Sequence, residues 1–175
     1  MKIEFKNFKM SLAHSEETIL FSADIAINGK VVAFAKNDGR GGCTDYQAYQ
    51  TKTTSLVDAR KILQDAEEYC KNLKGHPASK MCEEIDIQMN FEHYLDYLVE
   101  EKLKEYENKK IQKLFKDCIV WGVPNSSTYT RVKFKKPLNE IPLLQLQVKV
   151  KTYKKGFKKG EVFFNTNFDE LGIKV

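Results

Sequence analysis

The strongest constraint on the fold is a β-hairpin signal in the first quarter of the chain. Asn28-Gly29 lies at its centre, and this pair is typical of a two-residue type I′ turn, in which both residues take positive φ. Strand pairing across the turn sets Ile25 opposite Val32. It also sets Ala23 opposite Phe34. Apolar residues then share one face of the ribbon, namely Phe21, Ala23, Ile25, Ile27, Val32 and Phe34. The other face is mostly polar, so we expect an antiparallel sheet that covers a core on one side only.

A strand precedes this hairpin and a helix follows it. Apolar residues alternate with polar ones from Ile3 to Leu12, but the alternation slips once near Lys6-Asn7, which is typical of a strand with a β-bulge. Farther along, apolar residues recur at steps of three and four from Leu56 to Leu73. This spacing predicts a helix, and the Thr-Ser pair before it can cap that helix. The same spacing places Cys70 on the buried side.

A second helix is predicted in the middle of the chain, after a short strand. The strand is indicated by apolar residues on odd-numbered positions, namely Met81, Ile85, Ile87 and Met89. Asn90 can cap the helix that follows, whose apolar stripe begins at Phe91 and extends toward Phe115. Together with the first helix, this element can cover the apolar face of the hairpin.

The last third of the chain carries further strand patterns. The apolar run from Ile119 to Val123 is typical of a buried strand, and Tyr129 to Phe134 is expected to pair with it. Glu161 to Phe164 predicts a last short strand. The segment 143–157 fits two patterns, because its apolar residues alternate as in a strand and also recur at helical steps. We favour a strand there, with a helix as the alternative.

These patterns together predict one α+β domain that spans residues 1–175. An antiparallel N-terminal sheet packs with two to three helices, and further strands follow in the C-terminal third. A chain of 175 residues can bury a substantial core on this plan. The sequence shows neither an internal repeat nor a low-complexity linker that would divide it.

Composition favours a cytoplasmic protein without metal or cofactor. The opening Met1-Lys2-Ile3-Glu4 lacks the apolar stretch of a signal peptide. No apolar run approaches the roughly 20 residues of a membrane helix, so we expect no membrane partner. The four cysteines are widely spaced, which favours reduced thiols. A metal site would have to recruit four side chains whose spacing lacks the tight pairs of zinc ligands, namely Cys70, His76, Cys82 and His93.

A Gly-rich turn after the hairpin is the first candidate for a binding site. Three of the residues from 39 to 42 are glycine, and such a backbone can turn successive N–H groups toward an anion. Arg40 adds a fixed positive fork beside them. We predict that this turn binds an anionic small molecule or another protein through Lys36, Asn37, Asp38, Gly39, Arg40, Gly41, Gly42 and Tyr46. The structural alternative is that the glycines make room for a neighbouring helix of the same chain.

A basic segment in the last third is a second candidate, for nucleic acid. The net charge of the chain is +5, but ten basic residues and a single acidic one, Glu140, lie between Arg131 and Lys159. Such a segment suits a polyanion, and a solvated lysine-rich face is the alternative. The side chains that would contact phosphates are Arg131, Lys133, Lys135, Lys149, Lys151 and Lys154.

We find no constellation of acid, base and nucleophile, and therefore predict no catalytic residues. Cys43 directly follows the glycines, where exposed N–H groups could lower the pKa of its thiol, and a base such as His14 would be needed beside it. The local signatures of cysteine hydrolases are absent. The Gly-rich turn also lacks the Walker A and Rossmann patterns.

Several short motifs carry a resemblance to other proteins. They are Ser15-Glu16-Glu17-Thr18, Phe21-x-Ala23, Gly29-Lys30, the stretch from Asn37 to Cys43, and Phe164-Asn165-Thr166-Asn167 before Leu171-Gly172. In these motifs the chain resembles a recurrent group of uncharacterised small proteins encoded by bacteriophages and bacterial mobile elements. The resemblance implies a phage or mobile-element origin and supplies no catalytic residues.

The resemblance also favours an anti-defence function, because accessory phage proteins of this size often inhibit or sequester a component of host immunity. We accordingly expect a non-enzymatic binding protein in the cytoplasm of a bacterial host. It would capture a nucleotide-derived anionic ligand or a host protein, and nucleic-acid binding through residues 131–159 is the alternative. The sequence leaves the oligomeric state open.

Overall fold

The computed structural model describes residues 1–84, 87–124, 126 and 128–175. Within those residues the architecture is α+β, with an N-terminal four-stranded antiparallel sheet, a three-stranded sheet in the C-terminal third and four α-helices. This confirms the predicted fold class. The chain divides into two compact units, Met1–Leu103 (unit 1) and Lys104–Val175 (unit 2). That residues 1–175 form one domain stays a prediction.

Unit 1 is built on an antiparallel sheet in the order β1-β2-β3-β4. Its strands are β1 (Ile3–Met10), β2 (Phe21–Ile27), β3 (Lys30–Asn37) and β4 (Asp45–Ala48). Asn28 and Gly29 join β2 to β3 with φ of 48° and 83°. Both residues therefore take the positive φ that a type I′ turn requires, and the predicted hairpin is confirmed.

The register of this hairpin differs from the predicted one. Ile25 pairs with Ala33, not with Val32, and the partner of Ala23 is likewise one residue beyond the predicted Phe34. The prediction is wrong because the register shifts just before the turn, between residues 25 and 26, and such a shift reverses the faces of the residues beyond it. Phe34 is consequently 40% exposed instead of buried.

The first strand contains the expected bulge. The pairing of β1 with β2 shifts register between Lys6 and Lys9, and Asn7 within that gap has a φ of 50°. Asparagine tolerates this left-handed conformation better than most residues. The Asn7 side chain donates a hydrogen bond from Nδ2 to Asp24 Oδ2 at 2.7 Å, which ties the bulge to β2.

Two helices contribute to the core of unit 1. α1 (Leu56–Lys71) begins after Ser55, whose Oγ accepts a hydrogen bond from the backbone N–H three residues on, at 3.1 Å. α3 (Phe91–Leu114) begins after Asn90, whose Oδ1 accepts one from His93 N at 2.8 Å. Both predicted caps are therefore present. The buried residues of α1 join those of the sheet in one cluster, and they are Ala59, Leu63, Ala66 and Cys70.

The prediction of a short strand before α3 is wrong for the residues of this segment that the structure describes. Met81 belongs to the helix α2 (Lys80–Glu84), and Ile85 lies outside the described residues. Ile87 and Met89 have no regular structure, yet Met89 is buried in the core of unit 1. Ile87 is exposed, so these two residues do not share the buried face that a pleated strand would give them.

Unit 2 contains a three-stranded antiparallel sheet in the order β6-β5-β7. β5 (Cys118–Gly122) lies in the centre, between β6 (Thr130–Lys133) and β7 (Val162–Phe163). These strands confirm the strand patterns in the sequence. Residues 125 and 127 of the connection between β5 and β6 lie outside the described residues.

A helix, α4 (Leu143–Lys155), takes the place of the strand that the sequence favoured in this segment. Leu146 and Val150 are each 1% exposed, whereas Leu144 and Val148 are 74% and 57% exposed. A strand would have put all four side chains on one face. Helical spacing instead delivers two of them to the core, and the prediction of a strand is wrong.

Candidate functional site

The Gly-rich turn connects β3 to β4 in unit 1. Gly39 and Gly41 have φ of +82° and +85°, the left-handed region that favours glycine. A Cβ at Gly39 would lie 2.9 Å from Leu20 Cβ, and a Cβ at Gly41 would overlap the Glu17 carboxylate. These two glycines therefore make room for the connection between β1 and β2, and not for one of the α-helices.

Gly42 differs from the other two glycines. A Cβ built on Gly42 would meet nothing within 4 Å, and its backbone is not in the left-handed region. The residue is exposed. Neither conformation nor packing among the described residues requires a glycine at this position.

The N–H groups of the turn point to oxygens of the protein itself. Three successive hydrogen bonds run from Gly39 N to Asn37 Oδ1 (2.9 Å), from Arg40 N to Asp38 Oδ1 (3.3 Å) and from Gly41 N to Thr18 Oγ1 (3.2 Å). Each N–H has a single proton to donate. An anion bound by these three groups would have to displace the oxygens that already hold them.

Asn37 organises the turn from a buried position, with only 8% of its surface exposed. Its Oδ1 accepts hydrogen bonds from Gly39 N and, at 2.8 Å, from Thr18 Oγ1. Its Nδ2 donates to Gly42 O at 2.9 Å. Both ends of the amide are thus used within the loop, and the contacts of Asn37 are those of a structural residue.

Carboxylates of α3 hold the far end of the turn. Thr44 N donates to Glu92 Oε1 at 3.1 Å, and Thr44 Oγ1 donates to Asp96 Oδ1 at 2.7 Å. A hydrogen bond to Glu92 and its negative charge raise the pKa of the Cys43 thiol. The hypothesis that exposed N–H groups lower the pKa of Cys43 is therefore wrong. His14, considered as its base, is hydrogen-bonded through Nδ1 elsewhere, within the connection between β1 and β2.

The eight residues predicted to bind a ligand do not all face one way. Lys36 and Arg40 are exposed, whereas Asn37 and Gly39 are buried. Tyr46 of β4 pairs with Ala35, the residue before Lys36 in β3. Because adjacent residues of a strand point to opposite faces, the side chains of Tyr46 and Lys36 lie on opposite faces of the sheet. Burial raises the pKa of Tyr46 to about 12. The members exposed on the turn itself are Asp38, Arg40, Gly41 and Gly42.

The basic residues predicted to contact nucleic acid all belong to unit 2. Arg131 and Lys133 lie on β6, opposite Val120 and Cys118 of β5. Ile119, between those two, packs in the same cluster as the buried residues of α4. Because alternate strand residues point to opposite faces, the side chains of Arg131 and Lys133 lie on the sheet face that is turned away from α4.

The other four basic residues follow β6 along the chain. Lys135 is exposed in the connection to α4, and Lys151 and Lys154 are exposed on α4 itself. Lys149 is half-buried, with Nζ 5.7 Å from the centre of the Phe134 ring, a distance at which a cation is attracted to the ring face. The six positions are therefore distributed around unit 2 and do not form one compact patch.

Aromatic rings form a half-buried cluster in unit 2, which the sequence patterns did not predict. Trp121 stacks on Tyr153 with 5.3 Å between ring centres and on Phe157 with 5.9 Å. Phe163 of β7 lies 4.6 Å from Phe157. Tyr153 and Phe157 are four residues apart, so the helical alternative for 143–157 would have put them on one side.

Asn165, in the closing motif, is also used within the protein. Its Oδ1 accepts a hydrogen bond from Val120 N at 2.7 Å, and its Nδ2 donates to Cys118 O at 2.9 Å. The amide thus pairs with β5 as a strand residue would. Asn165 also lines a surface cavity of about 290 Å³, but its polar atoms already have partners.

The four cysteines are free thiols. Among residues 1–84, 87–124, 126 and 128–175, no group of three or more His, Cys, Asp or Glu side chains is placed to hold a metal ion. The structure does bring together two of the side chains that a metal site would have to recruit. Cys82 Sγ lies 3.4 Å from His93 Nδ1.

Comparison with known proteins adds no relative. No family model, no curated protein and no solved structure matches this chain. None of the helices in the described part of the chain combines the length and the apolar character of a membrane span.

Proposed function

We propose that this protein is a non-enzymatic binding protein that holds nucleic acid through unit 2. The observation that carries the proposal is the division of charge between the units. Residues 1–103 carry 13 basic and 17 acidic side chains, a net charge of −4, whereas residues 104–175 carry 16 basic and 7 acidic ones, a net charge of +9. Such a concentration of positive charge attracts polyanions, and the phosphate backbone dominates the affinity of proteins for nucleic acid.

The basic side chains of unit 2 are available for phosphate contacts. Arg131, Lys151 and Lys154 are exposed, and none of them forms an ion pair with a described residue. Lys133 forms an ion pair with Asp117, with 3.4 Å between Nζ and Oδ2, but 73% of the Lys133 side chain is exposed. Exposed pairs of this kind contribute about 1 kcal/mol or less, so a phosphate can replace Asp117.

Half-exposed aromatic rings in the same unit offer surfaces for bases. Tyr129 directly precedes β6 and is 37% exposed, and Trp121 and Tyr153 are half-buried. Stacking on aromatic side chains contributes about 1–3 kcal/mol per base in proteins that bind single strands. These rings favour a single strand as the first probe, with a duplex beside it.

Fluorescence anisotropy of labelled oligonucleotides tests the proposal. We expect binding at about 50 mM salt that weakens steeply as salt increases. Replacing Lys151, Lys154 and Lys155 together by Ala should weaken binding and reduce the slope of log K against log salt by about 2 to 3, because each lost phosphate contact removes nearly one counterion. Absence of binding at about 50 mM salt would exclude this function.

A matched variant distinguishes a local effect from one of net charge. Lys52, Lys61 and Lys74 are exposed lysines of unit 1, and replacing them by Ala removes the same total charge. We expect this variant to bind nearly as well as the unchanged protein. Equal losses in both triple variants would mean that the overall charge, and not unit 2, determines binding.

Gly42 favours a second candidate function at the Gly-rich turn. Since the fold does not require glycine there, we propose as the alternative that Gly42 admits the close approach of a partner beside Arg40. This partner would be the nucleotide-derived ligand or host protein of an anti-defence protein. Mass spectrometry of material released from the purified protein, and calorimetry with cyclic nucleotides and ADP-ribose, test the small-molecule form.

Substitutions in the turn separate binding from folding. Arg40→Ala and Gly42→Val should abolish capture of the partner and leave the thermal midpoint nearly unchanged, because neither side chain position has a packing role. Gly41→Val should lower the thermal midpoint, because valine would be strained at the left-handed φ of this position and its side chain would overlap Glu17. If Arg40→Ala and Gly42→Val retain full binding, the turn is purely structural.

A further inference from the structure

Three soft donor atoms meet in the core of unit 1, outside both candidate sites. Cys82 Sγ lies 3.7 Å from Met89 Sδ and 3.4 Å from His93 Nδ1. The Cys82 thiol can donate its one proton to Met89 Sδ, whereas the direction of its hydrogen bond with His93 depends on the tautomer of the imidazole ring. A thioether sulfur and an imidazole nitrogen therefore both contact the sulfur of one buried thiol.

The three residues come from different parts of unit 1. Cys82 lies on α2 and is 1% exposed, and Met89 is 5% exposed in the segment before α3. His93 lies in the first turn of α3, where the cap made by Asn90 holds its backbone N–H at 2.8 Å. His93 is half-buried, so its ring gives the otherwise buried group a side open to the surface.

We propose that Cys82, Met89 and His93 form a binding site for a soft monovalent metal ion, Cu(I). Thiolate and thioether ligands select Cu(I), and imidazole is also a copper ligand. Zinc is the weaker alternative, because its protein ligands are thiolate, imidazole and carboxylate, and not thioether. With metal–ligand bonds of about 2.0–2.3 Å for nitrogen and sulfur, trigonal donors lie roughly 3.7–4.0 Å apart. The two separations from Cys82 Sγ, 3.7 Å to Met89 Sδ and 3.4 Å to His93 Nδ1, need to open by only a few tenths of an ångström.

Binding exchanges a proton for the metal and involves no change of oxidation state. The Cys82 S–H bond breaks, a bond between sulfur and Cu(I) forms, and the proton leaves to solvent, while Met89 and His93 contribute lone pairs. A thiol keeps its proton at neutral pH, so the proton is present in the metal-free protein. Uptake should therefore release one proton per metal ion, and affinity should increase about tenfold per pH unit.

Anaerobic titration with Cu(I), in competition with a coloured Cu(I) chelator, tests the site. The starting protein carries Cys43→Ser, because Cys43 is an exposed thiol that could bind copper by itself. We expect one tightly bound equivalent. Met89→Leu, which conserves volume, and His93→Gln should each weaken binding tenfold or more, and Cys82→Ser should abolish it.

Two controls make the result decisive. Cys70→Ala removes a buried thiol on α1, and Met10→Leu removes a thioether of β1; both should leave Cu(I) affinity unchanged. Circular dichroism of every variant verifies that it is folded. If folded Met89→Leu and His93→Gln bind Cu(I) as tightly as the starting protein, or if no equivalent is bound, the proposal is wrong.

Discussion

Asn37 shows how a single buried amide can determine the conformation of a loop. Its carboxamide accepts hydrogen bonds from Thr18 and Gly39 and donates hydrogen bonds to Gly42 and Thr44. The sequence places asparagine at the end of a strand, where it could equally face a ligand. Only the tertiary position of Thr18, nineteen residues earlier, distinguishes the structural role from the binding role.

Asn37→Ala should lower the free energy of unfolding by about 2–4 kcal/mol, because it leaves buried polar groups of the loop without partners. Urea denaturation measures the change. Asp38→Ala is the matched control, since it removes only an exposed hydrogen bond of 3.3 Å to Arg40 N, and it should cost about 0.5 kcal/mol or less. Similar losses in both variants would contradict the central role of Asn37.

Cys70 should make the stability of the protein depend on pH in the alkaline range. Burial raises the pKa of this thiol to about 12 from an ordinary value of 9.0. Between these values the unfolded chain loses a proton that the folded chain keeps, so the free energy of unfolding falls as pH rises, by up to about 1.4 kcal/mol per pH unit. Cys70→Ala should flatten this slope between pH 9 and 12. An unchanged slope would mean that the thiol is not shielded.

Among the elements, the β2–β3 hairpin and α4 show what sequence patterns can and cannot predict. Asn28-Gly29 predicts the turn correctly because both residues tolerate positive φ. The bulge beside the turn leaves no signal, because residues 31 to 33 and 25 to 27 are apolar on both sides of the shift. In α4, apolar residues satisfy both periods, and only contact with the remaining core of unit 2 decides between them.

Alanine substitutions along α4 test its helical form. Leu146→Ala should lower the free energy of unfolding by about 2–5 kcal/mol, because Leu146 is 1% exposed. Leu144→Ala should change it by about 0.5 kcal/mol or less, because Leu144 is 74% exposed. Chemical denaturation of both variants measures the difference. Comparable losses would indicate a strand, in which both side chains share one buried face.

At the scale of the whole molecule, the asymmetry of charge is evident in the sequence but its boundary is not. The division between the units falls between residues 103 and 104, inside the continuous helix α3. A boundary within a helix carries no proline, glycine or serine-rich linker, so composition cannot reveal it. The six predicted phosphate contacts are all in unit 2, yet their distribution over β6, α4 and the connection between them depends on the fold.

Cross-linking of a bound oligonucleotide tests the central claim most directly. A single strand carrying photoreactive thymine analogues is irradiated in complex with the full chain at about 50 mM salt, and cross-linked peptides are identified by mass spectrometry. We expect the cross-links to fall within residues 104–175, near Tyr129, Phe134 or Tyr153. Cross-links confined to residues 1–103 would contradict the proposed function. So would the absence of any cross-link under conditions in which a known nucleic-acid-binding protein, used as a control at the same concentration, saturates the oligonucleotide.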